Sequence, residues 1–167
     1  VERNVGADVP GYTGPADGLS HPRATWLMKP LNKAVIAGRY RLEVEGRENI
    51  PQRGPNMYCP THPSMFDPPL VPAVVNPKDM RFMANKFVFD GVRGVLMTWG
   101  GAFPVDREKP SVLTCRHSLE VLRSGSDLCV FPEGRLADEH KDGRIGAIKK
   151  GPALGDVLAP LYLETIP

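Results

Sequence analysis

Cysteine is scarce in this chain, and a long apolar run is lacking. The 167 residues include three cysteines, which are far apart and in no paired spacing. The sequence therefore predicts no disulfide framework and favours a reduced, cytosolic compartment. No stretch approaches the ~20 consecutive apolar residues of a membrane-spanning helix. Internal repeats are absent too, which argues against a solenoid or another repeat architecture.

The chain also lacks a strong charge of one sign and a serine-hydrolase motif. Its formal net charge is +2, which is too small to indicate a nucleic-acid partner. No Gly-x-Ser-x-Gly sequence occurs, which argues against the nucleophile elbow of a serine hydrolase. The apolar fraction of 41% and the charged fraction of 24% are those of an ordinary globular domain. At this length we expect one domain with a sizeable core.

Basic and apolar residues are mixed near the N-terminus, where acidic residues are absent between Leu19 and Leu42. A helix of this composition can lie on an anionic membrane surface, with tryptophan at the level of the headgroups. The alternative is a helix packed on the domain with its lysines solvated. The basic residues are Arg23, Lys29, Lys33, Arg39 and Arg41, and the apolar ones are Trp26, Leu27, Met28, Leu31, Val35 and Ile36.

Three regions follow from these patterns. Residues 1–20 are rich in glycine, proline and aspartate and are predicted to be a loose lead-in. Residues 21–38 are the predicted membrane-surface helix, and residues 39–167 form the globular domain. The chain begins without methionine and stops just after a strand-like run. We therefore expect a fragment whose domain is truncated at its C-terminus.

Strand-like and helix-like segments alternate through the domain. This order predicts an α/β fold, a single domain with a mixed, largely parallel sheet flanked by helices. In such sheets, active sites gather at the carboxyl ends of the strands. The predicted helices are residues 24–37, 92–99 and 111–123, and the predicted strands are residues 40–44, 57–59, 81–84, 102–105, 127–131 and 158–163.

The first segment with chemical character joins His62 to Asp67, separated by four residues. Pro63 and Pro68 favour an extended backbone at the residues before them, so a continuous helix is excluded and a turn is predicted. A turn can bring the carboxylate onto one imidazole nitrogen and leave the other nitrogen to accept a proton. The alternative is structural, with Asp67 as the N-cap of a helix that begins with proline.

Two further segments place charged residues where a predicted strand ends. In residues 100–107, Arg107 follows a short apolar strand and can bind a phosphate in bidentate fashion; the alternative is a surface charge cluster with Asp106 and Glu108. In residues 130–135, Glu133, Gly134 and Arg135 occupy the turn after an apolar strand. Glycine permits a ligand to approach the backbone closely, and Glu133 can accept a hydrogen bond from a substrate hydroxyl or pair with an arginine.

In order and spacing these segments resemble the glycerolipid acyltransferases, the family of lysophosphatidic acid and glycerol-phosphate acyltransferases. Residues 62–67 match its His-four-residues-Asp motif, residues 101–107 its Gly-x-x-Phe-x-x-Arg block and residues 131–135 its Phe-Pro-Glu-Gly block. Residues 159–163 are similar to its later proline-centred strand. Two positions depart from the usual pattern. Thr61 stands where the family has asparagine, and Arg135 follows Gly134 directly, which leaves the acceptor lipid open.

The resemblance implies an O-acyltransferase with His62 as general base and Asp67 as its orienting carboxylate. Arg107 and Arg135 would bind the phosphate of a lysolipid acceptor, and Glu133 would help to place its glycerol. Gly134 would be a further substrate-binding residue. The donor would be acyl-CoA or acyl-carrier protein, with no metal or cofactor. It also implies a peripheral protein on the cytoplasmic face of a membrane.

Two other functions remain open. One is a non-catalytic lipid-binding or membrane-docking module of the same fold. The other is a zinc site built from Cys59 and His62 together with Cys115 and His117. The second pair lies on a predicted helix two residues apart, where the side chains diverge, which argues against zinc.

Overall fold

The computed structural model describes Val9, residues 25–106 and residues 112–134, and the side chains within these ranges except at 25–28 and 112–113. The predicted lead-in apart from Val9, the strand at residues 158–163, Arg107 and Arg135 lie outside the described residues. Two single turns of 3-10 helix cover Arg47–Asn49 and Lys86–Val88. The helices and strands are α1 Thr25–Arg39, β1 Met57–Tyr58, α2 Asp67–Val75, β2 Met80–Asn85, α3 Gly91–Trp99, β3 Ala102–Val105, α4 Val112–Arg123 and β4 Asp127–Cys129.

The described strands form one parallel sheet in the order β1-β4-β2-β3. This confirms the predicted α/β class, and every pairing among these strands is parallel rather than mixed. A helix lies between each strand and the next along the chain, as parallel neighbours require. The carboxyl ends of all four strands therefore lie at the same edge of the sheet, and the segments that follow β1 and β4 are neighbours there.

Successive strand residues point to opposite faces of the sheet. Helices cover both faces, so strand residues are buried on each. On one face Phe82 and Cys129 pack with Phe89 and with side chains of α2 and α3. On the other face Phe103 and Leu128 pack against Val121 and Leu122 of α4. This arrangement explains why the strands are apolar runs without clear alternation.

The face of α4 that lies against the sheet carries polar as well as apolar residues. Cys115 and Leu122 are buried, and so are His117, Ser118 and Val121. Ser118 satisfies its hydroxyl by donating to the carbonyl oxygen of Thr114 at 2.8 Å, so a small polar residue can face the sheet without an unmet hydrogen bond. The face of α4 against the sheet is therefore centred on Ser118 and Val121.

The predicted strand at residues 40–44 is wrong. No strand is assigned there, and the side chains of Tyr40 and Leu42 are 37% and 41% exposed. Arg41 and Glu43 pair with each other at 3.5 Å on the surface. Alternation of apolar and charged residues is a local pattern, and a strand also needs a neighbouring strand that offers hydrogen bonds.

Helix α2 contains three prolines, and the sequence predicted a helix here only as an alternative to a turn. Pro68 and Pro69 lie in its first turn, where backbone N–H groups have no partner within the helix. Asp67 adds a negative charge at the helix N-terminus, which is favourable there. Packing against α1 contributes as well, since Asn32 Nδ2 donates to the carbonyl oxygen of Pro69 at 2.8 Å. Prolines thus begin this helix rather than prevent it.

Helix α1 contacts the domain through its polar side chains and Ile36. Lys29 donates to the carbonyl oxygen of Pro77 at 3.4 Å and also to that of Lys78, just after α2. Ile36 is buried, whereas Leu31 and Val35 are each 56% exposed. None of the helices in the described part of the chain has the length and apolar character needed to span a bilayer.

Candidate active site

The turn after β1 brings His62 and Asp67 into contact. His62 Nδ1 and Asp67 Oδ2 are 2.9 Å apart, and the two side chains are 16% and 14% exposed. The backbone N–H of Ser64 donates to the same carboxylate oxygen at 2.7 Å, and the N–H of Asp67 donates to the carbonyl oxygen of Ser64 at 3.1 Å. The carboxylate is therefore fixed by a tight local turn before it meets the imidazole.

Asp67 is the first residue of α2, so it does not keep the extended backbone that Pro68 favours. The N-cap is Phe66, which makes no side-chain capping bond. The helix of the structural alternative is therefore present, but its assignment of Asp67 as N-cap is wrong. Its carboxylate bonds to His62 and Ser64 instead.

The Asp67 carboxylate decides which nitrogen of His62 carries the proton. A carboxylate only accepts hydrogen bonds, so the neutral imidazole donates through Nδ1–H. Nε2 then has its lone pair available to accept a proton. This arrangement suits a general base for a hydroxyl group.

The turn after β4 lies directly against His62. Because β4 pairs with β1, the N–H of Val130 donates to the carbonyl oxygen of Tyr58 at 2.9 Å. The ring of Phe131 stacks on the imidazole of His62, with centroids 4.1 Å apart and planes inclined by 23°. Glu133 Oε1 accepts the backbone N–H of His62 at 3.2 Å, across 71 residues of sequence. The sequence did not single out Phe131 as a site residue, although it lies within the third segment.

Gly134 closes this turn. Its N–H donates to the carbonyl oxygen of Phe131 at 3.0 Å, and its φ is 66°. Such a positive φ is readily adopted only by glycine. Arg135 follows immediately but lies outside the described residues.

The second segment lies at the other side of the sheet, where β3 is the outermost of the strands that the structure describes. Asp106 follows β3 and pairs with Lys86 Nζ at 2.7 Å. Lys86 follows β2, so it is a cation at the carboxyl edge that the sequence analysis missed. A basic residue two positions after a predicted strand was the available signal. The same signal drew attention to Arg107, which lies outside the described residues.

The thiols near the site are poor candidates for a nucleophile. Burial raises the pKa of the Cys129 thiol to about 12, and a nearby Cys59 thiolate adds to the effect. Desolvation also raises the pKa of Cys59. Both groups are thus protonated at neutral pH, and a neutral thiol is a weak nucleophile.

The zinc alternative finds no support. Across Val9 and the ranges 25–106 and 112–134, no group of three or more histidine, cysteine, aspartate and glutamate side chains could bind a metal ion. His117 belongs to the packed face of α4, with its ring edge-on to Phe103 at 4.5 Å. His62 is oriented by Asp67 rather than by a cysteine.

These contacts form a histidine–carboxylate pair at the carboxyl edge of a parallel α/β sheet. The sequence model of the Acyltransferase family matches residues 41–156 of the chain. The match covers both segments that meet at His62. The chain therefore belongs to the glycerolipid acyltransferase family.

Three relatives carry the same name, 1-acyl-sn-glycerol-3-phosphate acyltransferase. A chloroplastic protein of Arabidopsis thaliana is 32% identical over 116 residues, which is 67% of this chain and 31% of the relative. The Bacillus subtilis protein is 26% identical over 117 residues, 70% of this chain and 59% of the relative. The Streptococcus pneumoniae protein is 33% identical over 100 residues, 58% of this chain and 38% of the relative. The chain thus spans from about a third to three fifths of the length of these relatives.

Proposed function

We propose that this chain carries the catalytic centre of an O-acyltransferase of phospholipid synthesis. The substrate would be the free hydroxyl of 1-acyl-glycerol 3-phosphate, and the donor a fatty acyl thioester of CoA or of acyl-carrier protein. The observation that carries the proposal is the 2.9 Å contact between His62 Nδ1 and Asp67 Oδ2. The shared name of the relatives supports this acceptor and this reaction.

The proposed reaction is direct transfer. Nε2 of His62 removes the proton of the acceptor hydroxyl as its oxygen attacks the thioester carbonyl. The new ester C–O bond forms, the C–S bond breaks, and the leaving thiolate takes the proton from the imidazolium. Asp67 keeps the imidazole in the required tautomer and stabilises its positive charge. Much of the acceleration comes from placing two substrates in one orientation.

Arg107 and Arg135 would bind the acceptor phosphate, and Gly134 would let it approach the backbone. We expect Arg107→Ala and Arg135→Ala each to raise the Michaelis constant for the acceptor about ten- to hundred-fold, because a charge-assisted hydrogen bond is lost. The dependence on acyl-CoA should change much less. Initial rates at varied acceptor and donor concentrations measure both effects.

Arg123 provides a matched control for these variants. It is exposed in the last turn of α4, which leads into the start of β4 and so lies at the edge of the sheet away from His62. Arg123→Ala should leave both Michaelis constants unchanged. If the Arg107 and Arg135 variants alter only the acyl-CoA dependence, the arginines bind the phosphates of the donor instead.

Two alternative functions predict different results in one experiment. A lysophospholipid acyltransferase would prefer an acceptor with a larger headgroup, and a lipid-binding module would transfer nothing. We would test glycerol 3-phosphate and a panel of lysophospholipids with one acyl-CoA and follow the release of free thiol. Transfer to 1-acyl-glycerol 3-phosphate above the other acceptors supports the proposal, and binding without thiol release from any acceptor contradicts it.

We also propose that α1 attaches the protein to the cytoplasmic face of a membrane. Leu31 and Val35 are one turn apart and exposed. The ring of Tyr40, just after α1, lies 6.0 Å from that of Phe66, the residue before Asp67. Exposed apolar side chains thus extend from α1 to the turn that carries the proposed base. A lysolipid resides in the bilayer, so this position would shorten its path to His62.

Attachment of this kind should depend on the charge of the membrane. The chain is expected to co-sediment with anionic vesicles, to bind neutral ones less and to detach partly at high salt. Each lysine or arginine near an anionic surface contributes about 1 kcal/mol, and salt screens this contribution. Lys33 is exposed on α1, so Lys33→Glu should weaken binding to anionic vesicles.

Lys29 is less suitable for this test, because it also bonds to backbone carbonyl groups after α2. A loss on Lys29→Glu would therefore combine weaker attachment with altered packing of α1. Arg123→Glu makes the same change of charge on α4 and is the matched control. Equal binding to neutral and anionic vesicles, or binding to neither, would contradict this proposal. The interpretation of α1 as a helix that only packs on the domain would then be favoured.

A further inference from the structure

Two side chains of the turn after β4 contact the same residue of the turn after β1. Phe131 stacks on the imidazole of His62, while Glu133 accepts the backbone N–H of His62. One contact limits the plane of the ring and the other limits the position of the backbone that carries it. The family resemblance implied that Glu133 places the glycerol of the acceptor. This geometry indicates instead that Glu133 acts on His62.

The burial of Glu133 argues in the same direction. Glu133 is buried, with 4% of its surface exposed. A residue that binds an incoming lysolipid needs to be accessible to it. A buried carboxylate is costly unless it accepts hydrogen bonds from groups around it. The His62 N–H is such a group, at 3.2 Å.

We infer that Glu133 is a positioning residue for the proposed base His62 and not a ligand of the acceptor. This inference rests on the proposed function in one respect only, that His62 is the base. Asp67 bonds to Nδ1 of the imidazole, and Phe131 packs on the face of the ring. Glu133 holds the backbone N–H of His62. A base displaced by about 1 Å loses much of its effect, because proton transfer needs hydrogen-bond distance to the hydroxyl.

Glu133→Ala and Glu133→Gln separate positioning from acceptor binding. Alanine removes the acceptor of the His62 N–H, so kcat should fall about a hundred-fold, while the Michaelis constant for 1-acyl-glycerol 3-phosphate changes less than about three-fold. Glutamine keeps an oxygen that accepts the same N–H, and its kcat should fall less than about ten-fold. A rise of the acceptor Michaelis constant as the main effect of either variant would overturn the inference. So would a glutamine variant as slow as the alanine variant.

A spectroscopic measurement tests the geometry without any turnover. Histidine ring protons above the face of another aromatic ring resonate upfield, so His62 should give a displaced signal among the four histidines. His62→Ala assigns this signal by removing it, and Phe131→Leu should return it to an ordinary position. Glu133→Ala should move it substantially, whereas Glu133→Gln should leave it near the wild-type position.

The two measurements distinguish the possible failures. If wild-type protein shows no transfer but the His62 signal moves as described, the proposed function fails and the positioning role of Glu133 stands. If transfer depends on His62 while the signal is the same in wild type and in Glu133→Ala, the positioning role is wrong. Should Glu133→Ala fail to fold, the glutamine variant still distinguishes the two roles. A main effect on the acceptor Michaelis constant would indicate acceptor binding, and a small effect confined to kcat would indicate positioning.

Discussion

Replacing His62 with alanine is expected to abolish acyl transfer and to leave the fold intact. A general base contributes about 10²- to 10⁴-fold, and its loss also leaves the attacking hydroxyl without a hydrogen-bond partner. The side chain lies after β1, outside both groups of core residues, so little packing is lost. Thiol release from acyl-CoA measures the rate, and circular dichroism with thermal unfolding measures the fold.

Asp67→Asn is the matched comparison for this variant. Its side chain has nearly the same shape but carries no charge, so one amide oxygen in place of Oδ2 would accept the His62 Nδ1–H and the Ser64 N–H more weakly. The rate should fall severely but less than for His62→Ala, because the imidazole remains with a poorer partner. Wild-type turnover by His62→Ala would show that the proposed mechanism is wrong.

Gly101→Ala is expected to have the largest effect on stability. Gly101 precedes β3 with a φ of +89°, and an added Cβ would lie 2.7 Å from the carbonyl oxygen of Met80. The left-handed backbone costs ~1–2 kcal/mol for a residue with a Cβ, and relief of the collision must move the backbone of β2 or β3. The carbonyl oxygen of Gly101 accepts the N–H of Phe82 at 3.2 Å, so such a shift also weakens the sheet. We expect a loss of about 3 kcal/mol in the free energy of unfolding.

Gly125→Ala is the control for this prediction. Gly125 has a similar φ of +86°, but an added Cβ would meet no atom within 4 Å. Its cost should therefore be the backbone strain alone, about 1–2 kcal/mol. Urea unfolding of both variants gives the two free energies. Equal losses would mean that the collision with Met80 is relieved without disturbing the sheet.

Local patterns predicted most of the elements around the site. Residues 102–105 form a strand with the predicted limits. β2 is longer than predicted by one residue at each end, and α3 by one residue at its start. These segments succeeded because apolar runs bounded by glycine or charge depend little on distant residues. The prediction at residues 40–44 failed because, in the part of the chain that the structure describes, no strand pairs with these residues. Helix α2 was kept only as an alternative, because its prolines also favour a turn.

The sequence by itself determined the fold class and the local chemistry of the proposed base. The prolines around His62 and Asp67 exclude a continuous helix between them, so the two side chains could be expected to meet in a turn. Only the tertiary structure decided that Phe131 and Glu133 also meet His62. That contact depends on the pairing of β4 with β1. The order of the strands follows from how helices pack on both faces of the sheet. The spacing of residues along the chain does not encode this packing. For the same reason the sequence offered no sign that Glu133 is buried and bonded to the His62 backbone, the two observations on which its inferred positioning role depends.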